Sequence, residues 1–247
     1  MTTGAALFSR FAFPPNALGY CGPPDSELTH GLLNVDAASE LARVVKQFEG
    51  AWPYLELIAG VSAKDPLDFE VVEAYWVGNQ LLDSVDPLVW GNSIDDQFRG
   101  RAGSRWSTLS DGIVDGRPNH AFHVFCVYPW VGLLRTGFAD HALEVIDRCR
   151  IRWGQVVSVA GDSVEVEGSS LLWDGREILM GPNRREVVRR SVDVPVPSVG
   201  QAVAMHWDYM CASLQPRQLA NLRLQSARHI KLANRLDRRL EKVFSSS

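Results

Sequence analysis

The apolar positions of this chain change period once. From about residue 36 to residue 149 they recur at helical spacing. Leu41, Val44, Val45 and Phe48 share one face of a helix that Asp36 can cap. Trp52 to Ile58 predicts a second helix. Asp68 to Leu82 predicts a third, with Val71, Val72, Ala74, Tyr75 and Leu82 available for packing. Asp86-Pro87 opens a short one that runs to about Phe98, and Phe138 to Cys149 forms another. The stretch 118–130 is almost wholly apolar or aromatic, which predicts a buried helix kinked by Pro129. Residues 1–35 read as irregular, because Phe-Pro-Pro-Asn and Cys-Gly-Pro-Pro-Asp break helices. The aromatics Phe8, Phe11, Phe13 and Tyr20 predict that this arm packs onto the body. Residues 99–117, rich in glycine, arginine and serine, read as a solvated connector.

After Cys149 the period becomes two. Ile151 to Val159 is strand-like, and Val164 and Val166 alternate with Glu165 and Glu167. Leu171-Leu172-Trp173 and Ile178-Leu179-Met180 flank an Asp174-Gly175 turn, a hairpin signal. Glu186 to Val192 predicts another strand. Val194 to Val199, with Pro195 and Pro197, is an edge or connector. Ala202 to Trp207 is a further strand, and a long helix follows from Pro216 to about Phe244. Five or so short strands predict a small barrel. The expected architecture is α+β: a helical N-terminal domain over 1–147, then a small OB-like β-barrel with a C-terminal helix over 148–247.

Composition narrows the function classes. The 247 residues carry a formal net charge of −4, which argues against nucleic acid as the main partner. No apolar run approaches the ~18 residues that would span a bilayer. Four scattered cysteines, at 21, 126, 149 and 211, make no disulfide framework, so a reducing cytoplasm is the expected location. Nucleotide-binding loops, nucleophile elbows and His-Glu-x-x-His are absent from the sequence.

Two sets of side chains carry candidate chemistry. His120, His123 and Cys126 spread over roughly a third of a helix circumference, and imidazole and thiolate are good transition-metal ligands. Their bland alternative is a core helix with satisfied histidines. The second set is Cys149 with His206, which only the fold can bring together. Arg148, Arg150 and Arg152 surround that cysteine and favour its thiolate. These arginines, with Arg228 and Arg235 of the basic C-terminal helix, are the candidate partner-binding residues. Cys21, a single thiol in a proline-rich turn, reads as inert.

The run Cys149-Arg150-Ile151-Arg152-Trp153-Gly154-Gln155-Val156, with Gly161-Asp162 and Val164-Glu165-Val166, resembles the start of the HypC/HupF family. Those proteins are small β-barrel chaperones of nickel–iron hydrogenase maturation. Val199-Gly200-Gln201-Ala202-Val203-Ala204-Met205-His206 resembles a later strand of the same family. The resemblance implies that Cys149 and His206 hold an iron fragment and that the partner is a hydrogenase subunit or maturation protein. The N-terminal half, with Phe13-Pro14-Pro15-Asn16 and Tyr20-Cys21-Gly22-Pro23, resembles an uncharacterised bacterial family associated loosely with hydrogenase gene clusters. The leading expectation is therefore an accessory protein for a metalloenzyme, not itself an enzyme. The alternatives are a structural protein-binding module without metal, and an enzyme with an interdomain pocket around His120 and His123.

Overall fold

The computed structural model describes residues 3–24, 43–93, 112–128, 130–191 and 193–245. Asp36, the arginines at 99, 101 and 105, and Pro129 lie outside the described residues. Helix α1 spans Gly4–Ala17, α2 Trp52–Ser62, α3 Phe69–Trp76 and α4 Ala139–Cys149. Strands β1 to β5 follow at Arg152–Ala160, Ser163–Trp173, Ile178–Arg190, Ala202–His206 and Tyr209–Ser213. Helix α5, Pro216–Ser245, ends the described chain. The architecture is α+β. Among the described residues no helix is long and apolar enough to cross a membrane.

The N-terminal arm corrects the irregular reading. It is helical through Pro14 and Pro15. Thr3 caps it, its side-chain oxygen accepting from the Ala6 N–H at 3.2 Å. An internal proline costs about 3 kcal/mol relative to alanine. Burial offsets this. Phe8 and Phe11 are both fully buried, at about 1.5–3 kcal/mol each. Phe11 stacks on Trp76 of α3 with ring centroids 5.4 Å apart, and Phe13 meets Tyr209 of β5 edge-on. The Arg10 guanidinium donates to the Asp193 carbonyl at 2.7 Å. Helix α1 is thus wedged between the helical layer and the strands.

Helix α3 is shorter than its apolar pattern. Asp68 caps it, accepting from the Glu70 N–H. Gly78, at φ +95°, ends the run, and a separate 3-10 turn covers Gln80–Ser84. A side chain at 78 would meet Gln225 of α5 at 2.8 Å. The apolar 118–130 stretch is also not one regular helix. Asn119 caps a short turn, His120–Phe122, which passes into a π-turn, His123–Val127.

The strands pair antiparallel except β3 with β5, in the order β1-β2-β3-β5-β4. Strand β1 also pairs β4, so the ladder closes on itself. Val156, Val164, Val166, Val188, Val203, Met205 and Met210 fill its interior. The two strand segments expected at 178–180 and 186–192 are one strand, β3. Its pairing with β2 jumps from Leu171↔Met180 to Ser169↔Asn183, so Pro182 falls in a bulge where no ladder donor is required. Gly154 and Gly168 are opposite each other on β1 and β2. A Cβ at Gly168 would lie 2.4 Å from the Trp153 carbonyl oxygen, so the ladder closes tightly there. A second, larger core cluster runs from Leu7 to Leu236 and includes Cys149, Ile151, Leu171 and Ala204, so apolar packing is continuous across the 147/148 seam.

Candidate metal centre

Cys149 is the last residue of α4, and His206 is the last of β4. The closed ladder brings them to one end. Arg152, three residues after Cys149, pairs with Met205, beside His206. The Trp207 N–H donates to the Arg148 carbonyl at 2.9 Å, so the residues flanking the pair are bonded directly. The Cys149 sulfur and one nitrogen each of His206 and His120 all lie within 4.8 Å of one another. Among the described residues this is the one cluster of three potential metal ligands that close.

The two candidate sets are therefore regrouped. His120 joins Cys149 and His206, its ring centroid 5.2 Å from that of His206. His123 and Cys126 stand elsewhere, around Tyr54. The Tyr54 hydroxyl bonds His123 Nδ1 at 3.3 Å, and burial, with Cys126 nearby, disfavours ionisation of that phenol. The cause is the pair of tyrosines. Tyr75 holds His120 while Tyr54 holds His123, so the two imidazoles of one short helical segment point at different neighbours.

The carbonyls around the cluster bias the tautomer of each histidine. A carbonyl oxygen only accepts, so the ring nitrogen facing it carries the proton. His206 Nδ1 donates to the Phe11 carbonyl at 2.6 Å. The shorter of its two carbonyl contacts thus takes the proton of the neutral ring, which leaves Nε2 deprotonated. That atom is buried and makes no well-formed hydrogen bond, although the Cys149 carbonyl lies near it. The Phe11 carbonyl is free to accept because the residue four positions on is Pro15, which has no N–H. His120 Nε2 donates to the Cys149 carbonyl at 2.8 Å, leaving Nδ1 as its lone pair. That Nδ1 and the Gly50 carbonyl compete for the one proton of the Tyr75 hydroxyl, each at 3.3 Å.

Burial holds both rings neutral. It pushes the His120 pKa down to about 4, with the bond to the Cys149 carbonyl opposing it. It lowers His206 well below the ordinary imidazole value, and the neighbouring His120 and Arg152 act in the same direction. Neutral imidazole is the ligating form. Burial raises the Cys149 thiol, and Cys21 raises it further. In the absence of a cation this sulfur is a protonated thiol, not an activated nucleophile. A bound cation would reverse that balance. The expected gain in thiolate from the arginines does not arise, because their charges are engaged elsewhere.

Burial also corrects the partner-binding reading of Arg150 and Arg152. Both are buried, at 1% and 2% exposure. Arg150 bonds Asp147 and the Ser169 carbonyl, and Arg152 bonds Glu186 and the Trp207 carbonyl. Arg148 is more accessible and pairs with Glu144 and Asp208. Arg235 pairs with Asp115, and Arg228 is half-buried beside Arg117.

A cavity of about 830 Å³ lies on the helical side of the cluster. Cys21, Gly50, His123 and Tyr128 are part of its wall. Sequence reasoning missed the roles of Tyr75, Trp76 and the Phe11 carbonyl. The consecutive prolines 14 and 15, inside an otherwise apolar helical run, were the available signal for the last.

No curated protein and no solved structure matches the chain. A profile of a family of unknown function, DUF6390, matches residues 1–240, and the chain belongs to that family.

Proposed function

We propose that this protein handles a metal as an accessory or maturation-type factor for a metalloenzyme, with nickel–iron hydrogenase the favoured system. Cys149 and His206 hold the metal cargo, His120 adds a third ligand by giving up its bond to Tyr75 or to the Cys149 carbonyl, and a partner protein delivers or receives the cargo. The observation that carries this reading is the cluster itself: the Cys149 sulfur and one nitrogen each of His206 and His120 lie within 4.8 Å of one another in buried surroundings. His206 Nε2, buried without a hydrogen bond of good geometry, adds support, since such an atom costs about 1–3 kcal/mol. The donor set suits a borderline or soft ion such as iron(II). The second shell has the form usual for metal-binding histidines, with the opposite ring nitrogen of His206 donating to a backbone carbonyl.

The resemblance of the Cys149 and His206 segments to the hydrogenase chaperones supports the same reading, as does an OB-like reading of the five closed strands. The metal chemistry belongs to the cargo. The chain contributes a thiol, two neutral imidazoles and a dry surround. Anaerobic purification followed by metal analysis tests this. Cys149→Ala is expected to abolish iron retention and partner maturation with the fold intact. Full maturation activity in that variant overturns the proposal.

The cavity beside His123 favours one other reading, an enzyme acting there. In that case His123→Ala removes a turnover that Cys149→Ala spares.

A further inference from the structure

Strand β3 is bonded along its length by β2, on one side only. On its other side two partners hold its ends. The Ile178 N–H donates to Asn234 Oδ1 of α5, and the Ile178 carbonyl accepts from Asn234 Nδ2, both at 2.9 Å. At the far end the Arg189 N–H donates to the Asp208 carbonyl at 2.8 Å, where β5 begins. Backbone groups along an antiparallel strand alternate in direction. Those of Met180 therefore face the same way as Ile178, and those of Asn183, Arg185 and Val187 the same way as Arg189. Among the described residues these four make no hydrogen bond on that side. Residues 179–187 are all exposed or half-buried.

An open edge of this kind is a template for a strand from another chain. Its outer face shows the chemistry that strand needs. Val188 points into the barrel, so Arg185, Val187 and Arg189 alternate on the outside, opposite Glu167, Glu165 and Ser163 of β2. Val187 is 67% exposed. Arg185 is 61% exposed and lies 3.2 Å from Glu167 and 4.0 Å from Glu165. The exposed Arg189 side chain has no ion pair or hydrogen bond among the described residues. A second copy of this chain fits the edge poorly. The antiparallel register that clears both the Pro182 bulge and β5 sets Asn183 against Val187 and Arg185 against its own copy, and like charges directly opposite are destabilising.

We infer that the β3 edge is a docking site for an extended acidic segment of a partner protein, which adds a strand beside residues 183–187. In such additions main-chain hydrogen bonds supply affinity and alternate side chains supply specificity. The added strand places an acid beside Arg185, an apolar residue beside Val187 and a second acid at the end nearest Arg189. That is an acid-x-apolar-x-acid pattern, the same in either strand direction. The Pro182 bulge and the Asn234 amide close the window toward the hairpin, and β5 closes it at Arg189. The inference does not depend on the metal-handling reading and uses none of the residues of the Cys149 cluster.

The probe is a fluorescein-labelled peptide, Thr-Glu-Thr-Val-Thr-Glu-Thr, titrated with the full chain and read by fluorescence anisotropy. Wild type is expected to bind it, and hydrogen exchange at the amides of Asn183, Arg185 and Val187 is expected to slow on binding. The same peptide with lysine for glutamate is expected to bind about tenfold more weakly. Of two peptides N-methylated at alternate amides in opposite phase, one is expected to lose binding and the other to keep it, since an added strand bonds β3 along one edge. Val187→Pro removes an outward donor without touching the ladder to β2, and is expected to weaken binding about fivefold. Arg189→Glu is expected to weaken the acidic peptide and strengthen the lysine one. No binding by wild type, equal binding of the acidic and lysine peptides, or equal binding of the two methylated peptides overturns the inference. A dimer in sedimentation that Val187→Pro abolishes assigns the edge to a second copy and overturns it too. The peptide comparisons are made on wild type, so a misfolded variant does not remove the test.

Discussion

Replacing Asp147 by Asn probes the clamp on which Cys149 is mounted. Asp147 Oδ1 accepts from Arg150 Nε at 2.9 Å and from the Leu171 N–H at 3.1 Å. Oδ2 accepts from Arg184 at 3.3 Å. The pair Asp147–Arg150 thus brackets Cys149 and ties the end of α4 to β2. Both side chains are buried, at 7% and 1% exposure. Burial lowers the Arg150 pKa, and Asp147 is the main opposing influence. Asparagine keeps the shape but removes the charge and turns an N–H2 toward guanidinium donors. Removing one partner of a buried ion pair costs about 3–5 kcal/mol, because the other charge is left uncompensated. That is a large share of the 5–15 kcal/mol typical of a folded domain. Equilibrium urea unfolding is expected to show this as a lower midpoint with an unchanged slope. Arg184 is 56% exposed, so Arg184→Ala is expected to cost at most about 1 kcal/mol. Asp147→Asn combined with Arg150→Met removes both charges and is expected to recover most of the single-variant loss. A loss under about 1 kcal/mol in Asp147→Asn, or a double variant no better than the single, would refute the uncompensated-charge argument.

Three further outcomes are expected. Pro15→Ala gives α1 a backbone N–H that competes with His206 for the Phe11 carbonyl; the helix gains up to about 3 kcal/mol in propensity while Co2+ affinity falls about tenfold, and titration with thermal melting separates the two. Gly168→Ala places a Cβ 2.4 Å from the Trp153 oxygen, and a loss of about 1–3 kcal/mol is expected in urea unfolding. His229 is fully buried and accepts from the Arg117 N–H at 3.1 Å, and burial pushes its pKa down to about 3. The unfolded chain binds this proton near pH 6.5 and the folded chain does not, so the stability is intact above 6.5 and is lost as pH falls toward 3. The loss is about 2 kcal/mol at pH 5, and His229→Gln is expected to reduce the slope of stability against pH by one proton.

The strand half of the fold was legible because its interior valines alternate with charged residues. Val164 and Val166 face the barrel interior as their spacing requires. Strand β5 was not legible. Tyr209-Met-Cys-Ala-Ser has no alternation, and the turn before it places Trp207, not glycine, at φ +53°. The end of α3 at Gly78 was masked by apolar residues that continue into the 3-10 turn. In that turn they serve a second packing contact.

The centre itself divides along the same line. The pairing of Cys149 with His206 was expected from the resemblance of two separate segments to one family, because no spacing along the chain links residues 57 positions apart. The inclusion of His120 was not, since its spacing to His123 and Cys126 pointed to them as partners. Which imidazole turns toward Cys149 is decided by Tyr75 and Tyr54, residues more than forty positions away. The proline pair was read as a helix breaker by a rule that is correct about the lost N–H and silent about its use. In α1 the loss at Pro15 frees the Phe11 carbonyl, and that carbonyl fixes His206 with its lone pair inward. A feature unfavourable for the helix is thus a requirement of the site. Substitutions that improve α1 by helix propensity alone should therefore weaken the centre, and those that preserve the free carbonyl should not.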